Sequence, residues 1–297
     1  MPAVVGGSRA GLWAAYAAIC VIWGSTYLAI KVGLESFDPF FYVGLRYLLA
    51  TPLMAAYCAW RGVRFTGPVR RWLPVFGVGV LFIGVCNGAV FWSETRLDSG
   101  YTALLISVSP LSTALLSPLL PGERGLGRGG WLGIVIGFAG TVWLVAPWHA
   151  GRFELVAAVV VVLSTLVWAA GALWVRRIRL DFDPLAMTTA QMGAGAVVLL
   201  ALAAVRGEAL VGPVTPRAVA GLLFLAVFGS CVAFGAYFFL LRHWSATRVS
   251  TCAYINPVVA LALGAILLGE AVTPRMVAAT AVILVGVALV LHEQHSG

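Results

Sequence analysis

Charge is the scarcest resource in this sequence: Lys, Arg, Asp and Glu make up 10% of 297 residues, and only 11 of them are acidic. Runs of ~20 residues pass without an ionised side chain, the length needed to cross a ~30 Å hydrocarbon core, and this excludes a water-soluble fold. Long polar linkers are also missing, so no loop can hold a soluble domain and any function sits among helices. Cysteines are few (Cys20, Cys58, Cys86, Cys231, Cys252), all within apolar runs and none in C-x-x-C spacing. They read as small buried hydrophobes, with neither a disulfide framework nor a metal site indicated. The four histidines (His149, His243, His292, His295) fall at run ends or in the tail, and neither H-E-x-x-H nor G-x-S-x-G occurs. An enzyme is therefore not expected, and no catalytic residue or cofactor is assigned. The charge that exists is basic, net +8 with a pI near 9.7, yet the arginines are dispersed through short loops. They form no patch interleaved with aromatics, so nucleic acid is not implied as a partner.

What is abundant is apolar: 61% hydrophobic residues and a mean hydropathy of +0.99. Cutting at charged and Gly/Pro-rich punctuation gives ten candidate spans, 11–30, 39–60, 72–92, 99–120, 131–148, 155–175, 184–205, 218–241, 249–269 and 274–291. The fold expected is an all-α membrane protein of ten transmembrane helices forming one integral-membrane domain. The first span resembles a signal peptide but is too long for an h-region and carries Trp23, Ser25, Thr26 and Tyr27, so it reads as uncleaved.

Phe-Asp-Pro occurs at 37–39 and again at 182–184, an offset of 145 that also superposes Trp23 on Trp168, Lys31 on Arg176 and Arg61-Gly62 on Arg206-Gly207. From the third span the offset becomes 147, placing Gly88 on Gly235, Pro110 on Pro257 and Gly122-Glu123 on Gly269-Glu270. Residues 1–150 and 151–297 thus read as two five-helix repeats. Five is odd, so the second copy enters the membrane from the opposite side. Lys and Arg number one in 31–38 against three in 176–183, four in 61–71 against two in 206–217, one in 93–98 against two in 242–248, and two in 121–128 against one in 270–275. That bias puts residues 1–10, 61–71, 121–128, 176–183 and 242–248 in the cytoplasm, with both termini there. Asp38 and Asp183 are expected as helix N-caps, followed by Pro39 and Pro184 at the first helical position.

The segments "IWGSTYLAIK", "GLRYLLATPL", "SPLSTALLSPLLPGE" and "NPVVALALGAILLGE", set in a 5+5 inverted repeat, resemble the EamA family of the drug/metabolite transporter superfamily, one unit per half. The resemblance implies a bacterial inner-membrane carrier that exports amino acids or similar small metabolites through a cavity between the halves. A transporter of drugs or phosphorylated metabolites stays open as an alternative, as does a non-transporting membrane scaffold or sensor. Independently, inverted repeats suit alternating access, because the two halves can exchange conformations around one site.

Several residues are candidates to line that site. Trp23 and Tyr27 lie one helical turn apart, and Trp168 is the repeat mate of Trp23; aromatic walls suit a small-molecule substrate, although Trp and Tyr also anchor spans at the bilayer interface. Asn87 and Tyr237 sit near the ends of the third and eighth spans. Pro110 and Pro257 each free a helix carbonyl (Ile106 and Ala253), and with Ser109 and Asn256 before them they mark cavity-lining breaks or packing kinks. Substrate contacts are accordingly expected from Trp23, Tyr27, Asn87, Pro110, Trp168, Tyr237 and Asn256. Arg46, about 10 Å below its helix start at ~1.5 Å per residue, and its mate Gln191 form a second tier. Arg46 could shape the pocket or pair outward with Glu35 or Asp38. Glu123 and Glu270 read as caps or loop anchors. No carboxylate lies mid-span, and Glu94 and Asp98 sit at a helix edge, so facilitated or exchange transport is expected in place of a proton relay.

Overall fold

The computed structural model describes residues 9–116, 127–145, 151–178, 182–241, 243–244, 249 and 252–296. Its helices are α1 (Arg9–Gly33), α2 (Pro39–Trp60), α3 (Val69–Gly79), α4 (Gly88–Glu94), α5 (Ser99–Ile106), α6 (Ser109–Leu116), α7 (Arg128–Val145), α8 (Arg152–Ile178), α9 (Pro184–Arg206), α10 (Pro216–Phe224), α11 (Ala233–Leu241), α12 (Cys252–Leu263) and α13 (Pro274–Ser296). Among the described residues π-helical stretches at Val80–Asn87, Leu225–Val232 and Gly264–Leu268 continue α3 into α4, carry α10 into α11 and extend α12. Among the described residues there is no strand, only one isolated bridge between Phe37 and Leu210. Among the described residues seven helical runs are long and apolar enough to cross a membrane, and Cys252–Leu268 and Pro274–Val290 are shorter apolar helices. The expected span 39–60 does form a helix, α2, but is in neither group; Arg46, three tyrosines and two prolines dilute its apolar content.

Helix starts follow local chemistry in part. The Asp183 side chain accepts from the Leu185 N–H at 2.8 Å and Thr215 from Ala218 N–H at 3.1 Å, both ordinary caps ahead of a proline. Asp38 departs from expectation. It precedes Pro39 as the N-cap of α2, yet its carboxylate makes no capping bond and accepts from the Ala209 N–H at 3.1 Å. Glu208, from the far loop, takes its place, accepting from the N–H groups of Phe40 (2.8 Å) and Phe41 (3.4 Å). Glu270 does the same for α5, accepting from the N–H groups of Ser99 and Gly100 at 2.8 and 3.0 Å and from the Ser99 hydroxyl at 2.9 Å. The anchoring role expected of Glu270 is therefore observed, while Glu123 lies outside the described residues.

These caps stitch loops of the two halves together at one end of the molecule, where Ser36 also bonds to Pro213, Val211 and Thr215. At another junction Trp72 stacks on Phe182 at 4.1 Å. Two packed clusters lie between. One joins α2 and α9 through Tyr42, Tyr47, Met54, Met192 and Leu199; the other joins α5 to α8 with α13 through Leu104, Leu111, Leu144 and Ile283. The second has a glycine seam: a methyl group on Gly286 of α13 would lie 2.5 Å from the Gly137 nitrogen and 2.6 Å from the Gly133 oxygen of α7. Small residues at this spacing let the two backbones touch, as they do between membrane helices generally.

Candidate functional site

The π stretches Val80–Asn87 and Leu225–Val232 begin 145 residues apart, and α2 bonds to both. Consecutive residues of α2 divide the task. Arg46 Nε donates to Ser230 Oγ at 3.2 Å, and the Tyr47 hydroxyl donates to Asn87 Oδ1 at 3.0 Å. Each partner is in turn tied to a carbonyl five residues back, Ser230 Oγ to Leu225 (3.0 Å) and Asn87 Nδ2 to Phe82 (2.9 Å). A wide helical turn leaves its carbonyls poorly matched to the α ladder, and these side chains satisfy one in each stretch. Isolated π turns are frequent where helices carry function.

Arg46 is 5% exposed and its guanidinium carbon lies 4.8 Å from the centre of the Tyr47 ring. It therefore points inward, and the expected alternative of pairing toward Glu35 or Asp38 is not what is found. Burying a guanidinium is costly unless donors are met and a polarisable face covers it, which Ser230 and Tyr47 supply.

Four of the nine expected residues meet these two stretches, Asn87 within one of them and Arg46, Trp23 and Trp168 against them. Trp23 Nε1 donates to the Gly229 carbonyl at 3.3 Å, and its ring sits 5.5 Å from Tyr237 and 5.6 Å from Phe234. Gly229 has no side chain because Thr26 and the Arg46 guanidinium approach it; a methyl group there would meet them at 3.0 and 3.3 Å. Trp168, 38% exposed, stacks on Phe82 of the first π stretch at 4.2 Å. Tyr27 is half-buried on α1 and lies within the electrostatic reach of Glu94. Three expected residues serve packing elsewhere. Pro110 opens α6, which rests on α7, α8 and α13, and the carbonyl of Ile106 that it was expected to free is taken by the Ser109 hydroxyl at 2.6 Å. Asn256, in the amide orientation that suits its surroundings, donates to the carbonyls of Cys20 (3.1 Å) and Cys252 (2.9 Å), lacing α1 to α12. Gln191 lies where the α9 backbone runs against Gly79, whose added methyl would be 2.5 Å from the Gln191 carbonyl.

A polar cavity of ≈ 340 Å³ opens beside the 95–98 turn, lined by Arg96, Asp98, Tyr101, Glu154, Thr273 and Arg275 among others. Asp98 is held above the usual carboxylate range by burial, then by the charges of Glu270 and Glu154, with Lys31 opposing. Just behind it, Lys31 Nζ donates to the backbone carbonyls of Glu94 (2.9 Å) and Leu97 (2.7 Å), closing the end of α4. Glu94 itself is 1% exposed, and neither carboxylate oxygen has a hydrogen-bond partner among the described residues.

The sequence matches the EamA-like transporter family twice, over residues 9–146 and 155–292. The chain belongs to that family. Among its relatives is the uncharacterized inner membrane transporter YedA of Escherichia coli (strain K12), 33% identical over 287 residues that cover 94% of this chain and 90% of the relative. Another is the S-adenosylmethionine/S-adenosylhomocysteine transporter of Chlamydia muridarum (strain MoPn / Nigg), 24% identical over 289 residues, 92% of this chain and 89% of that one. A solved crystal structure superposes with a TM-score of 0.65 at 21% identity, covering 97% of this chain and 99% of the other, and shares the fold. Family membership and the seven apolar spans make this a multi-pass membrane transporter.

Four residues of this EamA-like chain take part here without having been expected as site residues: Tyr47, Ser230, Glu94 and Lys31. Tyr47 and Ser230 carry no signal beyond being polar within a span. Glu94 and Lys31 carried one: Lys31 is the only lysine in the chain, and it stands in the last turn of α1.

Proposed function

We propose that the protein is an inner-membrane carrier that exports amino acids or similar small metabolites by alternating access, its ten transmembrane helices forming two inverted five-helix repeats, 1–150 and 151–297, with both termini in the cytoplasm. The observation that carries the reading is the pair of π stretches, 145 residues apart, held to neighbouring residues of one helix, Arg46 and Tyr47 of α2. A site made by both halves and bridged by one helix can be offered to either side as the halves exchange shape. Loop pairing supports the orientation: 31–38 and 206–217, both assigned outside by arginine count, bond through Asp38 and Ala209, and 61–71 meets 176–183, both assigned inside, through Arg71 over the Phe182 ring.

Substrate contacts are assigned to Trp23, Tyr27, Asn87, Trp168 and Tyr237 with Arg46. Ring faces, a carboxamide and a single guanidinium suit the side chain and carboxylate of a zwitterion. A phosphorylated metabolite would call for more than one cation at this point. The adenosylated amino acid named for the Chlamydia relative combines an amino-acid end with a flat base and belongs in any panel tested. Export of a labelled panel of amino acids and adenosylated amino acids from cells overexpressing the protein is the test. Efflux above that of empty-vector cells, lowered severalfold by Trp23→Ala and Trp168→Ala at near-normal folded yield, is expected. Parental rates in both variants would place the site elsewhere.

A further inference from the structure

We propose that Glu94 is the proton-binding group of this carrier, with the Lys31 ammonium as the element that responds to its charge. The inference rests on the carrier reading above and reverses the sequence-based expectation of a transporter without a proton relay. That expectation placed Glu94 at a helix edge, whereas Glu94 is 1% exposed and neither of its oxygens has a hydrogen-bond partner among the described residues.

A carboxylate anion held without donors away from water is strongly disfavoured, so it persists in a fold only where it takes up a cation. The nearest cation does not supply the bond. Lys31 is close enough for its charge to act on Glu94, yet its ammonium is spent on the carbonyls of Glu94 and Leu97. This is the arrangement for a neutral Glu94. Other titratable groups around it are Tyr27 from α1, Tyr42 from α2 and Glu270 beyond the α12 π extension, with Asp98 past the end of its own helix. On the α8 side, the Ala157 carbonyl is taken by the Ser93 hydroxyl at 3.1 Å. Among these only Lys31 can balance a negative Glu94. On loss of the proton to water in the Arg96–Asp98–Glu154–Arg275 cavity, Lys31 moves from the two carbonyls to the carboxylate. That uncovers the Leu97 carbonyl in the 95–98 turn, which Glu270 joins to the second half through Ser99 and Gly100. Proton release thereby loosens one inter-half seam, the coupling an alternating-access carrier needs.

Two measurements on the full chain in proteoliposomes separate this inference from the reading beneath it. In the first, dicyclohexylcarbodiimide, which adds to protonated carboxyls in apolar surroundings, is applied from mildly acid to mildly alkaline pH, and adducts are located by peptide mass spectrometry. A Glu94 adduct that disappears as pH rises, and is absent from Glu94→Gln, is expected; no Glu94 adduct at any pH, or one indifferent to pH, overturns the proposal whatever is transported. In the second, accumulation of labelled L-tryptophan and L-phenylalanine under an imposed pH gradient is compared with exchange at equal pH. Glu94→Gln is expected to lose gradient-driven accumulation while exchange persists without its pH dependence, and Glu94→Asp to recover part of the accumulation. Parental accumulation in Glu94→Gln overturns the proposal. If the parent shows neither accumulation nor exchange, that counts against the substrate reading, and the carbodiimide result alone decides the role of Glu94.

Discussion

Replacing Glu270 by alanine strips three hydrogen bonds from the start of α5 at once. The Ser99 and Gly100 N–H groups lose acceptors at 2.8 and 3.0 Å, and the Ser99 hydroxyl loses one at 2.9 Å, with both residues buried. An orphaned buried donor costs about 1–3 kcal/mol, and because Glu270 is half-buried some water can enter, so we expect a loss of about 2–4 kcal/mol in all. Glu270→Gln, which keeps an acceptor oxygen but not the charge, should lie between parent and alanine. Asp98→Ala is the internal control: Asp98 is the formal N-cap of α5 and makes no side-chain capping bond, so its removal should leave stability nearly unchanged. The assay is thermal unfolding of the purified protein in detergent. A parental midpoint for Glu270→Ala, or a larger drop for Asp98→Ala than for Glu270→Ala, would refute the idea that a carboxylate from the second half caps a helix of the first.

Other outcomes follow from the same geometry. The folded chain keeps the Asp98 proton longer than the unfolded chain does, so its contribution to stability is present at acid pH and lost as pH rises above the ordinary carboxylate value of 3.8. The pH dependence of the unfolding midpoint just above that value should be reduced in Asp98→Asn. Gly286→Leu should drive α7 and α13 apart, since even a methyl group would meet the Gly133 oxygen at 2.6 Å; a cost of about 1–3 kcal/mol is expected, read as lower folded yield and midpoint. Trp23→Ala should reduce transport more than stability, because it removes one hydrogen bond to Gly229 and a ring face beside Tyr237. For topology, tags in 64–68 and at the C-terminus should report cytoplasm and a tag in 208–213 the outside; labelling of single cysteines at both 66 and 210 by an impermeant reagent from outside would contradict the inverted arrangement.

The sequence revealed whatever depends on neighbours along the chain. Asp183 with Pro184, and the depth of Arg46, were legible because a cap and a helix rise are local quantities. Asp38 was misread because its helix is capped by Glu208, a residue 168 positions away from Phe40, and local pattern carries no information about which loop folds over a helix end. The same reason hides Glu94, whose helix is covered by α8, α2 and α1, elements distant along the chain. The π stretches have no signature at all: Val80–Asn87 and Leu225–Val232 are apolar runs like any other, and the Arg46 and Tyr47 bonds to their polar residues come from another helix. The rings of Trp23 and Tyr237 lie 5.5 Å apart, whereas the polar chemistry of Ser109–Pro110 and Asn256 is consumed by packing.

The central claim, a carrier whose one site faces each side in turn, is tested most directly by counterflow in proteoliposomes. Vesicles preloaded with an unlabelled amino acid and diluted into a trace of the same labelled compound should accumulate label transiently above its equilibrium level, then release it. The overshoot should shrink severalfold in Trp23→Ala. Simple equilibration without overshoot for every member of the panel, with the protein shown to be folded and inserted, would contradict the carrier account.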